Sequence, residues 1–157
     1  MAMNIPSTQN LVTLETFLAQ STPALERALV ARFGLEIGRE ASADAVAYAC
    51  EHWSRLVVMD NPIGYLFRVG QSAGRRQCRW QRPTTLWFEP VTVDEPVDPD
   101  LQAALMKLKP EQRIAVLLTC GFGSAHSEVA AMLGTSTSNV ANHVSRGLAR
   151  LRRYVKP

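Results

Sequence analysis

Residues 127–153 read SEVAAMLGTSTSNVANHVSRGLARLRR. Gly134 after Leu133 is a helix stop, and Ser136 is a helix cap two residues later. The spacing therefore predicts two helices around a short turn. In the second, Val140, Val144, Leu148, Leu151 and Val155 recur at steps of three and four, the period of one buried helical face. The opposite face carries Ser138, Asn139, Asn142, His143, Arg146, Arg150 and Arg153. Amides and an imidazole lead and arginines follow, as in a recognition helix whose first turns reach base edges while cations hold phosphates. Asn can pair two-pronged with adenine and Arg with guanine. A plain helical hairpin with a polar outer face would share the spacing.

The rest of the chain supports a polyanion partner. The net charge is only +3 over 157 residues, but the signs are segregated. Five arginines and no acid fall between Arg68 and Arg82, at 68, 75, 76, 79 and 82. Five acids and no base fall between Glu89 and Asp100, and five bases and no acid between Arg146 and Lys156. Two basic clusters, each closing an apolar-periodic segment, attract a polyanion more than scattered charge would.

Nearly everything outside residues 81–97 reads as helix. In TPALERALVARFG, Thr22 is the expected cap, Pro23 the first helical residue and Gly34 the stop. SADAVAYACEHWSRLV places Val46, Ala49, Cys50, Trp53 and Val57 on one face. NPIGYLFRVGQSAGRRQCRW opens with Asn61 as cap and Pro62 at the first helical position. Its glycines, 64, 70 and 74, imply either close contact with another backbone or local flexibility. Residues 81–100 then hold four prolines and the acidic run from Glu89 to Asp100, with a linker over 81–97 containing Trp87 and Phe88. At ~3.1 Å per residue an extended Pro-rich segment of that length reaches ~50 Å. Beyond it, Asp98 caps a helix starting at Pro99, Pro110 starts another ending near Gly121, and Ser124 caps AHSEVAAML. The expected fold is all-α: a helical domain over 1–80, a Pro-rich acidic linker over 81–97, and a helix-turn-helix domain over 98–157.

Several function classes lack support. Cys50, Cys78 and Cys120 are odd in number and scattered, as are His52, His126 and His143. Neither set has disulfide-framework or zinc-site spacing. No Gly-rich phosphate loop, nucleophile elbow or His-Glu-x-x-His occurs. The expectation is no enzyme, no metal and no cofactor. MAMNIPSTQN lacks a signal-peptide pattern, and no apolar run is long enough for membrane insertion. The expectation is a cytoplasmic protein.

Two stretches, LMKLKPEQRIAVLLT (105–119) and the opening one, resemble the C-terminal domain of bacterial RNA polymerase sigma factors of the extracytoplasmic-function group. The matching residues are Leu108, Pro110, Arg113, Glu128, Val129, Ala130, Leu133, Gly134, Val140, Arg146, Leu151 and Arg152, with Lys109 as an extra residue before Pro110. Residues 28–79 are similar to the sigma domain that grips polymerase and melts the promoter, and the resemblance as a whole covers about residues 24–80 and 98–157. The similarity lies in a helix after Ala43 and Asp44, the pair Tyr65 and Leu66, and a closing arginine run. The polymerase-binding helix diverges: Ala47 stands where the group usually has glutamine. Gln71 or Ser72 replaces the usual asparagine of the melting helix, and Ala141 stands where lysine is common.

The resemblance implies a sigma factor that directs core RNA polymerase to promoter DNA, with a possible anti-sigma factor as a further partner. It implies that Asn139, Asn142, His143 and Arg146 read the upstream element. Gln71, Arg75, Arg76, Arg79 and Trp80 would contact the downstream element, and Val46, Ala49, His52 and Trp53 would dock on polymerase. Two rivals stay open: a helix-turn-helix regulator that no longer binds polymerase, and a helical protein-interaction module that never touches DNA. A single small DNA-binding module covers only ~600–1,000 Å² of protein surface. A chain with two basic domains gains from acting as linked modules.

Overall fold

The computed structural model describes residues 13–79 and 99–155. The linker over 81–97, the cap at Asp98, and Trp80, Arg82, Trp87, Phe88 and Lys156 lie outside the described residues. Every regular element among the described residues is helical: α1 Leu14–Phe33, α2 Leu35–Glu51, α3 Trp53–Leu56, α4 Pro62–Cys78, α5 Pro99–Met106, α6 Pro110–Val116, α7 His126–Leu133 and α8 Thr137–Tyr154. The all-α expectation holds. No helix is long and apolar enough to cross a membrane among these residues.

α1 starts well before the expected Thr22. Thr13 is the cap, its Oγ1 accepting the Thr16 N–H at 3.2 Å. Pro23 therefore sits inside the helix, where it removes a donor and crowds the preceding turn, typically at ~3 kcal/mol. Burial offsets that cost. Phe17 is buried, with its ring 5.3 Å from that of Trp53, and Leu14 and Leu18 pack on the same core. Gly34 stops α1 as expected, at φ 90°, a conformation L side chains rarely adopt.

α2 follows at once, seven residues ahead of the expected Ser42. Its buried stripe is Ile37, Gly38, Ala41, Ala45 and Ala49, whereas Cys50 and Val57 are exposed. Of the expected stripe Ala49 is buried and Val46 and Trp53 half-buried; the rest misses because α2 ends at Glu51 and because small residues, not large ones, face inward. A Cβ on Gly38 would lie 2.4 Å from the Val30 Cα, so α1 and α2 touch backbone to backbone.

α4 begins as expected, the Asn61 Oδ1 accepting the Gly64 N–H at 3.1 Å and Pro62 opening the helix. The glycines mark close contact, with another backbone at Gly64 and with side chains at Gly70 and Gly74. Leu29 lies over Gly70 and Phe33 over Gly74, closer than a Cβ would allow, and Gly64 faces the Ala131 carbonyl.

In the C-terminal half, α6 widens at its end into a π-type turn, Leu117–Gly121. Ser124 does not cap α7. Ala125 occupies the cap position, and the Glu128 carboxylate accepts its N–H at 3.2 Å. Gly134 closes α7 in the left-handed conformation, and the Ser136 Oγ accepts the Asn139 N–H at 3.1 Å to start α8. Helix, turn and helix stand where the sequence puts them.

The two halves share one hydrophobic core. Leu25, Leu29, Phe33, Leu66 and Phe67 belong to the same cluster as Ile114, Leu118, Val129, Met132 and Val140. A smaller cluster of Ala104, Leu105, Leu108, Val116 and Leu151 holds α5 against α6 and α8. α1 packs on α6, and α4 packs on α7.

Candidate nucleic-acid interface

α8 is a strongly two-sided helix. Val140 is fully buried and Leu151 nearly so, with Val144 and Leu148 half-buried beside them. Gly147 sits on the same side, where a Cβ would lie 2.6 Å from the Val116 side chain. That seam fixes the rotation of the helix. It leaves Ser138, Asn139, Asn142, Arg146 and Arg153 exposed, and His143 and Arg150 half-buried. Asn139, Asn142, Arg146, Arg150 and Arg153 step by three and four, so they line one face. Arg152, also exposed, adds charge to the same end.

The first turn is braced. The Asn139 Nδ2 donates to the Thr135 Oγ1 at 2.8 Å. That bond holds the amide in place and commits one of its donors. Asn142 lies one turn further along, exposed. Ser136 satisfies one of the first amides, and the remaining open amides give the helix start a partial positive charge. Exposed amides ahead of exposed arginines can take base edges and phosphates respectively.

The second candidate face lies on α4. Arg75, Arg76 and Arg79 are exposed and Gln71 is half-buried, while Trp80 lies outside the described residues. Gln71, Arg75 and Arg79 are spaced four apart and share a side of the helix, with Arg76 beside them. Gly70, Ala73 and Gly74 bury the other side. Arg75 also faces Arg32 across the packed helices, and this repulsion adds to burial in lowering the Arg32 pKa.

One of the residues expected to dock on polymerase is not on the surface. Ala49 has no exposed area: it packs inside the core and cannot meet a partner there. Val46, His52 and Trp53 are half-buried. His52 stacks on Tyr48 at 4.2 Å between ring centroids, and its Nδ1 lies 3.1 Å from the Tyr48 carbonyl oxygen. The Tyr48 and Tyr65 hydroxyls are 3.1 Å apart, and that hydrogen bond, with some burial, raises the Tyr48 pKa. The aromatic set of Tyr48, His52 and Tyr65 joins α2 to α4. Sequence reading missed it because its members lie on two helices.

Sequence reading also missed the inward role of Arg113. Its Nη1 donates to the Ala31 carbonyl at 3.2 Å and the Arg32 carbonyl at 3.4 Å, and its Nη2 to the Leu108 carbonyl at 3.2 Å. Burial first, then the Arg32 charge, lowers its pKa.

Residues 99–151 match the family model described as Sigma-70, region 4. The chain is 39% identical over 67 residues to the ECF RNA polymerase sigma factor SigE of Mycolicibacterium smegmatis. That match covers 43% of this chain and 26% of the relative, so the chain spans about a quarter of the length of the curated relative it matches. The structure of the sigma factor RpoE in complex with the anti-sigma factor NepR from Bartonella quintana superimposes with a TM-score of 0.65 at 20% identity, over 89% of this chain and 94% of that one. The PhyRSL–NepR complex from Sphingomonas sp. Fr1 gives 0.60 at 20% identity, over 90% and 88%. At that identity the structures speak for the fold alone. Residues 99–151 are thus similar to sigma-70 region 4, and a 67-residue stretch of the chain is similar to part of an extracytoplasmic-function sigma factor.

Proposed function

We propose that this chain is a non-enzymatic sigma factor of the extracytoplasmic-function type, acting in the cytoplasm to bring core RNA polymerase to specific promoters. The observation that carries the reading is the outer face of α8. Asn139, Asn142 and Arg146 stand exposed on a capped second helix, within a segment that matches sigma-70 region 4. In this reading Ser138, Asn139, Asn142, His143 and Arg146 read the upstream element, and Arg150 and Arg153 hold its phosphates. Gln71, Arg75, Arg76 and Arg79 contact the downstream element and its opened strand, with Trp80 as a stacking partner. Val46, His52 and Trp53 contribute to the polymerase-binding surface. Residues 1–80 and 98–157 act as separable modules when engaged, joined by 81–97. An anti-sigma factor is the natural regulator, since RpoE is captured in complex with one.

The test is run-off transcription with core polymerase on a promoter library, alongside the Arg75→Ala, Arg76→Ala double variant. The chain should select a promoter subset. The double variant should retain duplex binding in a mobility shift yet leave thymines unreactive to permanganate. Absence of promoter selection by the wild-type chain would sink the reading.

A second reading has one specific observation behind it. Ala47 is exposed on α2, where the sigma group usually presents a polar side chain to polymerase. A DNA-binding regulator without polymerase contact fits that substitution. Copurification with core polymerase separates the two: retention supports the sigma reading, and DNA binding without retention supports the regulator.

A further inference from the structure

A cavity of about 690 Å³ opens away from both candidate DNA faces, between α1, α3, α4, α7 and the turn that follows α6. That volume lies in the range of small-molecule sites. Its walls are largely aromatic and apolar: Phe17, Trp53, Ile63, Phe122 and Met132 all line it. The Phe17 and Trp53 rings meet at 5.3 Å between centroids, and Trp53 and Phe122 are only half-buried. Large rings lining an open cavity retain apolar surface that a ligand can cover.

The charged members of the lining are Arg27 and Glu128. The Arg27 guanidinium lies 4.3 Å from the centroid of the Phe122 ring. Among the described residues it pairs with no carboxylate and donates no hydrogen bond. A cation held against a ring keeps its N–H donors, and a guanidinium offers them in a fork that matches a carboxylate. Glu128 is committed elsewhere, since its Oε2 accepts the Ala125 N–H at 3.2 Å. The wall that carries Phe122 is preset. The Phe122 N–H donates to the Leu117 carbonyl at 3.1 Å, and the Ser124 N–H to the Leu118 carbonyl at 2.8 Å. Gly123 between them takes φ 68°, which L side chains rarely adopt. The π-type turn just before it is a feature that often marks functional sites.

We propose that this cavity binds a small aromatic carboxylate of two or more rings, its rings against Phe17, Trp53 and Phe122 and its carboxylate on Arg27. A neutral apolar ligand would cover the rings but leave the Arg27 donors shielded and unpaired, which is costly. A cationic ligand would meet the repulsion of Arg27. The site does not rest on the sigma reading, since neither DNA nor polymerase enters its test.

The test uses the full chain with N-phenylanthranilate as probe and its neutral amide, 2-anilinobenzamide, as control. Isothermal titration reads affinity, and ¹H–¹⁵N spectra locate the site. The carboxylate should bind in the sub-millimolar range and the amide at least tenfold more weakly. Shifts should fall on the Trp53 indole N–H and the Phe122 and Ser124 amides. Arg27→Gln should weaken the carboxylate about tenfold, the loss of a charge-assisted hydrogen bond, and leave the amide unchanged. Glu128→Gln should not weaken it, because a like charge leaves the rim. Ala24→Trp, which fills the cavity from α1, should abolish binding of both probes with helix content retained by circular dichroism. The acid–amide comparison uses the wild-type chain, so it decides the matter even where a variant fails to fold. Absence of carboxylate binding, equal affinity for acid and amide, or full affinity in Arg27→Gln would overturn the site. Shifts confined to the arginines of α4 and α8 would also overturn it, as uptake of an anion by the basic faces.

Discussion

The two candidate DNA faces are built by opposite means. α8 acquires its outer face from itself: a serine cap, an apolar seam at steps of three and four, and polar side chains left over on the other side. α4 acquires its face from neighbours. Its inner side is Gly70, Ala73 and Gly74, and these positions make sense only beneath Leu29 and Phe33 of α1. A face defined by one helix is fixed once that helix forms. A face defined by packing depends on the core behind it, which here extends across both halves.

The comparison would break most sharply at Ile114. This side chain belongs to the C-terminal half, is fully buried, and sits in the cluster that also holds Leu25 and Leu29. Ile114→Ala should cost about 2–5 kcal/mol. Because the cluster is shared, amides of α1 and α2 should lose hydrogen-exchange protection together with those of α6 and α7. Loss confined to α6 and α7 would mean that the halves are stable separately and that α4 owes nothing to the C-terminal core.

Gly38 extends the test to the backbone. A methyl there would meet the Val30 Cα and N, which cannot swing aside as a side chain can. Gly38→Ala should therefore cost about 1–3 kcal/mol, the usual range for overpacking. Gly147→Ala in α8 meets chiefly the Val116 side chain and should cost less, since a rotamer can yield. Thermal melts of the two variants give the ranking. An equal or reversed order would show α8 to be as tightly constrained by its packing as the N-terminal helices.

The same contrast decides what could be read in the sequence. Ser136, Gly134 and the seam from Val140 to Leu151 give α8 and its turn, because capping and amphipathic spacing act within a few residues. Asn61 and Pro62 likewise mark the start of α4. Thr22 and Pro23 mislead, although they are a good cap pair. Phe17 finds Trp53 in the folded chain, and that burial carries α1 through the proline. Most of the α2 stripe is missed because alanine carries little hydrophobic signal, yet Ala41 and Ala45 are fully buried, as is Ala49, which the expected face did include. Ala49, expected both on that face and at the polymerase surface, lies in the core, which bears out the first expectation and not the second. Arg113 belongs to a recognisable motif, but its bonds to Ala31 and Arg32 span about eighty residues, and no local pattern signals them.

The DNA predictions sharpen the comparison at the exposed face. Asn142→Ala or Arg146→Ala should cost about 1–3 kcal/mol on the preferred upstream element. The loss should shrink on scrambled DNA, since base contacts carry the sequence information and phosphate contacts do not. Both side chains are exposed and serve no packing role, so melting temperature should not change. Fluorescence anisotropy on the two duplexes reads the difference. Equal losses on both would reassign these residues to backbone positioning.

The smallest expected effect separates two arginines one turn apart. Arg153 is exposed, whereas Arg150 is half-buried. A phosphate contact releases counterions, so the slope of log affinity against log salt falls by about 0.9 for each one removed. Arg153→Ala should flatten the slope by about that amount on any duplex and leave stability alone. Arg150→Ala should flatten it similarly, but should also lower the melting temperature slightly, because the stem of a half-buried arginine covers apolar surface. Anisotropy titrations of the full chain over a salt series, with a thermal melt of each variant, distinguish the two roles. If Arg153→Ala weakens binding at an unchanged slope, its contact is not with phosphate. The division of α8 into reading residues at its start and anchoring residues at its end would then have to be redrawn.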